Sequence, residues 1–184
     1  MGKWIVSGIA ALRTYSGLPY HVVGVESEPT HFKWMEQHLK DNDADAERAK
    51  LMRAAVARED GQVWFHVGAP ADWYGQGIAG EPEQTQSTLG KRLIRSLQRR
   101  VRGGSDRGVD RVRAVSLRTL LGPLDRVDLI DADIQGAEAD AIEPAADLLD
   151  AKVKLVYVAT HNRDNEDRVR AVFKTLGESL WDYP

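Results

Sequence analysis

The sequence has no cysteine. That excludes disulfides, thiolate nucleophiles and cysteine-ligated zinc or iron–sulfur centres, and it fits the reducing cytoplasm expected here. No apolar run approaches the ~20 residues of a helical membrane span. Trp4 to Leu12 is rather apolar, but one cation precedes it and no convincing cleavage site follows, so no signal peptide and no membrane association are expected. Charge of one sign is also missing: 25 Lys and Arg stand against 28 Asp and Glu, a formal net charge of −3. The whole chain is therefore not a generic polyanion binder.

What is present suits one globular domain. The 184 residues are 42% hydrophobic and 29% charged, enough for a sizeable core and ordinary for a folded protein. Residues 3–17 carry apolar positions near helical spacing until Gly17 and Pro19 stop them. His21 to Glu26 reads as a buried strand, and Thr30 as the cap of a helix running to about Lys40. Leu51 to Val56 and Gln62 to Val67 read as two strands turning at Glu59-Asp60-Gly61. Residues 68–111 read as an insertion, with a basic amphipathic helix from Thr88 to Arg102. Val112 to Val115 is a short strand, and Ser116 caps a short helix ending at Gly122-Pro123. Val127 to Ile134 and Val153 to Thr160 are core strands. The helix between them contains Pro144, which should kink or split it, and a last helix runs from Asn165 to Leu176. Strands alternating with helices predict a single α/β domain over 1–184, with a doubly wound, mostly parallel sheet containing 21–26, 51–56, 127–134 and 153–160.

In open parallel sheets, ligands bind at the carboxyl ends of the strands, and three of those ends are polar. Glu26 closes HVVGVE, where a carboxylate can accept hydrogen bonds from two ribose hydroxyls. Asp131 and Asp133 lie two apart, so on a strand they share a face that should be apolar unless the carboxylates have partners or work. Gly136 then lets the backbone turn close to a ligand. Thr160-His161-Asn162 closes the last core strand, and His161 there can serve as a base, a ligand or a substrate contact. Glu26, Asp133 and His161 are expected along one sheet edge, around one cleft. Two carboxylates without further ligands are weak evidence for a metal between them, and none is expected. The nine Lys or Arg residues between Lys91 and Arg113 read first as a solvated helix face. Without interleaved aromatics they argue against nucleic acid.

Several segments resemble the FkbM type of class I S-adenosylmethionine-dependent methyltransferases. VVGVESEPTHFKWMEQHLKDN is similar to the family's strand ending in Glu, Pro-containing turn and helix ending in Asn. RAAVAREDGQVWFHV is similar to its next strand pair. VRAVSLRTLL, VDLIDADIQGAEADAI and KVKLVYVATHN follow in the family's order, with Asp133-Ile134-Gln135-Gly136-Ala137-Glu138 matching its acid-rich turn. The resemblance covers roughly 2–183. It implies a Rossmann-like domain binding S-adenosylmethionine, with methyl transfer usually to a hydroxyl oxygen. It places Gly2, Glu26, Ser27, Asp133 and Gly136 at the cofactor, and Asp133, Asp131 or His161 as the catalytic base. Trp73, Tyr74 and Glu138 fall toward the acceptor, a small molecule or glycan. Met1-Gly2-Lys3-Trp4 is similar to the last residues of the family's glycine loop, so the fold is expected to be incomplete at both ends and the cofactor to bind weakly.

Two other readings of the same residues differ in class. A degenerate methyltransferase fold acting in binding or assembly, with an exposed sheet edge open to pairing with another copy, is the alternative to an enzyme. A nicotinamide enzyme using Glu26 on a ribose is disfavoured, because a dinucleotide site needs a G-x-G-x-x-G turn before a helix and no such turn is read in the chain.

Overall fold

The computed structural model describes residues 7–10, 19–44, 46–67, 77–79 and 108–177. Strand β1 (Val22–Glu26) runs parallel to β2 (Ala49–Arg53), with Val22 opposite Ala49 and Glu26 opposite Arg53. Helix α1 (Pro29–Asp41) crosses between them. Its cap is Glu28 rather than Thr30: the Glu28 carboxylate accepts from the His31 N–H at 2.5 Å. Pro29 occupies a first-turn position where its missing N–H costs nothing, which leaves Thr30 inside the helix. Leu39 of α1 packs with Tyr20 and with Ile9 of the helical stretch at 7–10, over Val22 and Leu51.

The chain leaves this pair at Ala54, whose N–H donates to the Glu26 carbonyl (3.1 Å), and enters a second sheet. There β3 (Ala55–Ala57), β6 (Gly108–Ser116), β4 (Gly61–Val67) and β5 (Ile78–Ala79) lie side by side in that order. Strands β3 and β4, joined by the expected turn, do not pair with each other. β6 lies between them, parallel to β3 and antiparallel to β4. The reason is visible in the turn: Asp60 accepts from the Ser116 N–H (2.7 Å) and the Thr119 hydroxyl (2.7 Å), so the turn grips the end of β6 and the helix after it. Ile78, Ala79 and residues 108–111, expected within an insertion, pair into this sheet. The basic helix expected at 88–102 lies outside the described residues.

A third unit carries β7 (Ile130–Ala132) parallel to β8 (Val156–Val158), extended by a bridge between Val127 and Val153. Helix α2 (Leu117–Leu121) starts at Ser116, which caps it as expected through Thr119 N–H. Pro144 splits the next helix as expected, into α3 (Glu138–Ile142), a 3-10 turn at Glu143–Ala145 and α4 (Ala146–Lys152). Helix α5 (Arg163–Thr175) follows β8. Leu121, Ile142, Leu149, Val169 and Phe173 are buried together here, with Val127, Ile130, Val156 and Val158 packed on them. Each fully buried side chain of this kind is worth about 1.5–3 kcal/mol. The Lys152 ammonium locks α4 to the end of α2 by donating to the carbonyls of Leu121, Gly122 and Leu124.

The four segments expected in one sheet thus fall into three hydrogen-bonded sheets, of two, four and two strands. Two observations account for this. β2 and β3 part at Ala54, and β7 and β8 share only three residues each. The outer face of β7–β8 also stays open: Leu129, Leu155 and Tyr157 are 55%, 50% and 50% exposed. The architecture is α/β with parallel strand pairs. Among the described residues no helix is long and apolar enough to cross a membrane.

Candidate functional site

A polar cluster forms where β7 and β8 end. The Ala159 N–H donates to the Ala132 carbonyl (2.9 Å), which holds the two strand ends level. Asp133 and His161 then emerge side by side, with His161 Nε2 3.2 Å from Asp133 Oδ1. On its other side, His161 Nδ1 stands 2.8 Å from Oε1 of Glu138. The imidazole therefore bridges two carboxylates, one half-exposed and one with no exposure at all. Asp131 sits one step back on the open face of β7, opposite Tyr157. Partial burial, and then the charge of Asp133, push its carboxyl above the usual range.

The turn that delivers these groups is conformationally special. Gln135 has φ +54° and Gly136 φ +99°. The first is an uncommon left-handed conformation for a residue with a Cβ, and the second is suited to glycine. Hydrogen bonds hold the turn. Gly136 N–H donates to Glu138 Oε1 (2.9 Å), and the Gln135 amide donates to Asp133 Oδ1 (2.9 Å). Asn165, 5% exposed, binds the turn from α5: its Nδ2 donates to the Gly136 carbonyl (2.7 Å) and its Oδ1 accepts from the Ala139 N–H (3.1 Å). Arg168 braces the same helix against α3 and the following turn, donating to Asp140 and, through two nitrogens, to Glu143. Those hydrogen bonds hold the Glu143 carboxyl below its usual range.

Glu26 and Ser27 stand at the end of β1, which belongs to a different hydrogen-bonded sheet. Glu26 Oε1 accepts from the Glu28 N–H at 2.9 Å. Burial raises its carboxyl above the usual 4.5, and the hydrogen bond from Glu28 and the His31 ring pull the other way. Asp133 and His161 are not among its polar neighbours in the described residues. The structure thus joins Asp131, Asp133, Gly136, Glu138 and His161 by direct contacts, and Glu26 and Ser27 by contacts of their own at the end of β1. Gly2, Trp73 and Tyr74 lie outside the described residues. An open depression of about 460 Å³, lined by Ala57, Arg58, Asp60, Val63, Ile78 and Asp140, contains none of the expected site residues.

Two contributors, Asn165 and Glu28, were not anticipated, and Gly77, the last residue of the Trp73–Gly77 stretch that the family resemblance places along the site, takes a part that the resemblance does not specify. Asn165 was read only as a helix start, although an Asn at such a position is a common source of backbone hydrogen bonds. Glu28 is a buried cap, 2% exposed. Gly77 stands against the special turn, where an added Cβ would come 3.1 Å from the Gln135 carbonyl oxygen. Gly77 also belongs to a run, Gly75 to Gly80, with G-x-G-x-x-G spacing. Ile78 and Ala79 form a strand there, not the opening turn of a helix that a dinucleotide phosphate site requires.

For an adenosyl cofactor the described residues offer an acceptor at the ribose end. Glu26 is a half-buried carboxylate at a strand's carboxyl end, with one oxygen engaged by Glu28. A carboxylate retains further acceptor capacity, which fits a ribose diol. Comparison with known proteins adds one finding: the family model for the methyltransferase FkbM domain matches residues 9–180. No curated protein and no solved structure matches.

Proposed function

Since the chain belongs to the FkbM methyltransferase domain family, we propose that it transfers a methyl group from S-adenosylmethionine to a hydroxyl oxygen of a small molecule or sugar. The observation that carries this reading is the Asp133–His161–Glu138 cluster at the ends of two parallel strands, where doubly wound α/β enzymes bind ligands. The cofactor, when bound, supplies a methyl already activated on a sulfonium. The chain's own residues must hold the ribose, align the hydroxyl and remove its proton. Glu26, with Ser27 beside it, suits the first task. Asp133, Asp131 and His161 suit the last. Gly136, lacking a Cβ at the turn, gives a bound molecule close access to backbone. On this reading the three sheets belong to a Rossmann-like, doubly wound arrangement. A titration of the isotope-labelled chain with S-adenosylhomocysteine, followed by amide NMR, tests the proposal. Shifts at Glu26, Ser27 and 131–136 are expected even if affinity is low. A saturating shift confined to other residues, or none at millimolar ligand, sinks it.

A further inference from the structure

Glu138 opens α3 with zero exposure, so it is badly placed to touch an acceptor. Its Oε1 takes the Gly136 N–H at 2.9 Å and faces His161 Nδ1 at 2.8 Å. Its Oε2 is buried with no hydrogen-bond partner among the described residues. A buried carboxylate with half its acceptor capacity unmet is a poor way to stabilise a fold, and an apolar side chain would be easier to bury there. We infer that Glu138 is a positioning residue that makes His161 Nε2 a proton acceptor, so that Nε2 and Asp133 Oδ1 form a two-acceptor fork for the hydroxyl proton of the methyl acceptor. This rests on the hydroxyl-methylating function proposed above.

With Glu138 ionised, the carboxylate has no proton to give, and the short contact then places a proton on Nδ1. A neutral imidazole has only one N–H, which leaves a lone pair on Nε2. That lone pair faces Asp133 Oδ1 at 3.2 Å, an oxygen already accepting from Gln135. In the doubly protonated ring Nε2–H itself donates to Asp133; in the neutral ring, the form that can take a proton, two acceptors face each other and a donor must join them. A hydroxyl can be that donor, giving its hydrogen to the fork while an oxygen lone pair points at the methyl carbon. In the transfer, the O–H bond breaks and the proton moves to Nε2. The oxygen forms the O–C bond, and the departing sulfur keeps the pair of the broken S–C bond. The imidazolium so formed lies between the carboxylates of Glu138 and Asp133, whose charges stabilise it. Asn165 and the Gly136 turn fix Glu138 in place, as the bonds to Gly136 show.

The test needs neither cofactor nor acceptor, which separates its failure from failure of the methyl-transfer reading. Long-range ¹⁵N–¹H NMR of the His161 ring, recorded on the full chain with the ring neutral, reports which nitrogen holds the proton. The wild type should show protonated Nδ1 and bare Nε2. Asp133→Asn should keep that tautomer. Glu138→Gln, whose amide oxygen can still accept, should retain it, and Glu138→Ala should move the proton to Nε2. A proton on Nε2 in the wild type, or an unchanged tautomer in Glu138→Ala, overturns the inference. If Glu138→Ala does not fold, the wild type and Asp133→Asn decide alone, since Nε2–H in either is fatal.

Discussion

Replacing Asn165 with Leu removes both hydrogen bonds that tie α5 to the Gln135-Gly136 turn. The side chain is 5% exposed and Ala139, whose N–H it accepts, has no exposure, so water cannot easily take over. Two lost hydrogen bonds at about 1 kcal/mol each, with a buried N–H left orphaned at about 1–3 kcal/mol, give a loss of roughly 3–5 kcal/mol. For a chain of this length that corresponds to a melting temperature lower by about 6–20 °C. Asn162→Ala is the internal control. It removes only the side-chain cap of α5, a bond to the Asn165 N–H at 2.9 Å, and should cost about 1 kcal/mol. Urea unfolding of both variants, followed by far-ultraviolet circular dichroism, measures the two losses. If Asn165→Leu costs no more than Asn162→Ala, the turn is not held from α5, and the account of how Asp133, Glu138 and His161 are assembled is wrong.

Gly77→Ala places a Cβ 3.1 Å from the Gln135 carbonyl oxygen. It should cost about 1 kcal/mol through overpacking and shift the amide resonances of 133–138; an unchanged spectrum would mean that Gly77 does not support the turn. Glu26→Gln tests burial at the end of β1. Because burial raises the folded-state pKa of Glu26 above 4.5, the contribution of Glu26 to stability is fully present below that pH and is lost as pH rises through the raised value. The neutral variant should therefore unfold at higher urea than the wild type near neutral pH, with the gap closing as pH falls toward 4.5. A gap that widens on acidification contradicts the sign.

Local signals in the sequence survive well in the structure. Pro144 splits its helix because its ring and missing N–H act whatever surrounds it. Ser116 caps α2 because a cap bonds only to its own next turn. Asp133 and His161 meet because both close strands of one parallel pair, and parallel strands share a direction. The failures involve partners distant in sequence. Glu59-Asp60-Gly61 carries a hairpin signal, yet β6, some fifty residues on, lies between the two strands. Thr30 lost the cap because Pro29 and the buried Glu28 set the helix start earlier. Glu26 ends its own strand as expected, but membership of one common sheet could not be read from strand patterns, since apolar alternation says which face is buried and not which neighbour is paired. Asn165 acts only through the turn it meets in three dimensions.

The short ladder between β7 and β8 has a consequence for how heat affects the protein. Seven residues of β4 are registered in one run against β6, but only three of β7 against β8, with a single bridge at Val127–Val153 beyond them. Openings that leave the rest of the molecule intact begin where few backbone bonds hold neighbouring segments. Parting β7 from β8 separates Asp133 from His161 at once. On warming, methyl transfer should therefore fail before the helices melt, and a thermal melt read by circular dichroism alone would overstate the temperature at which the protein still works.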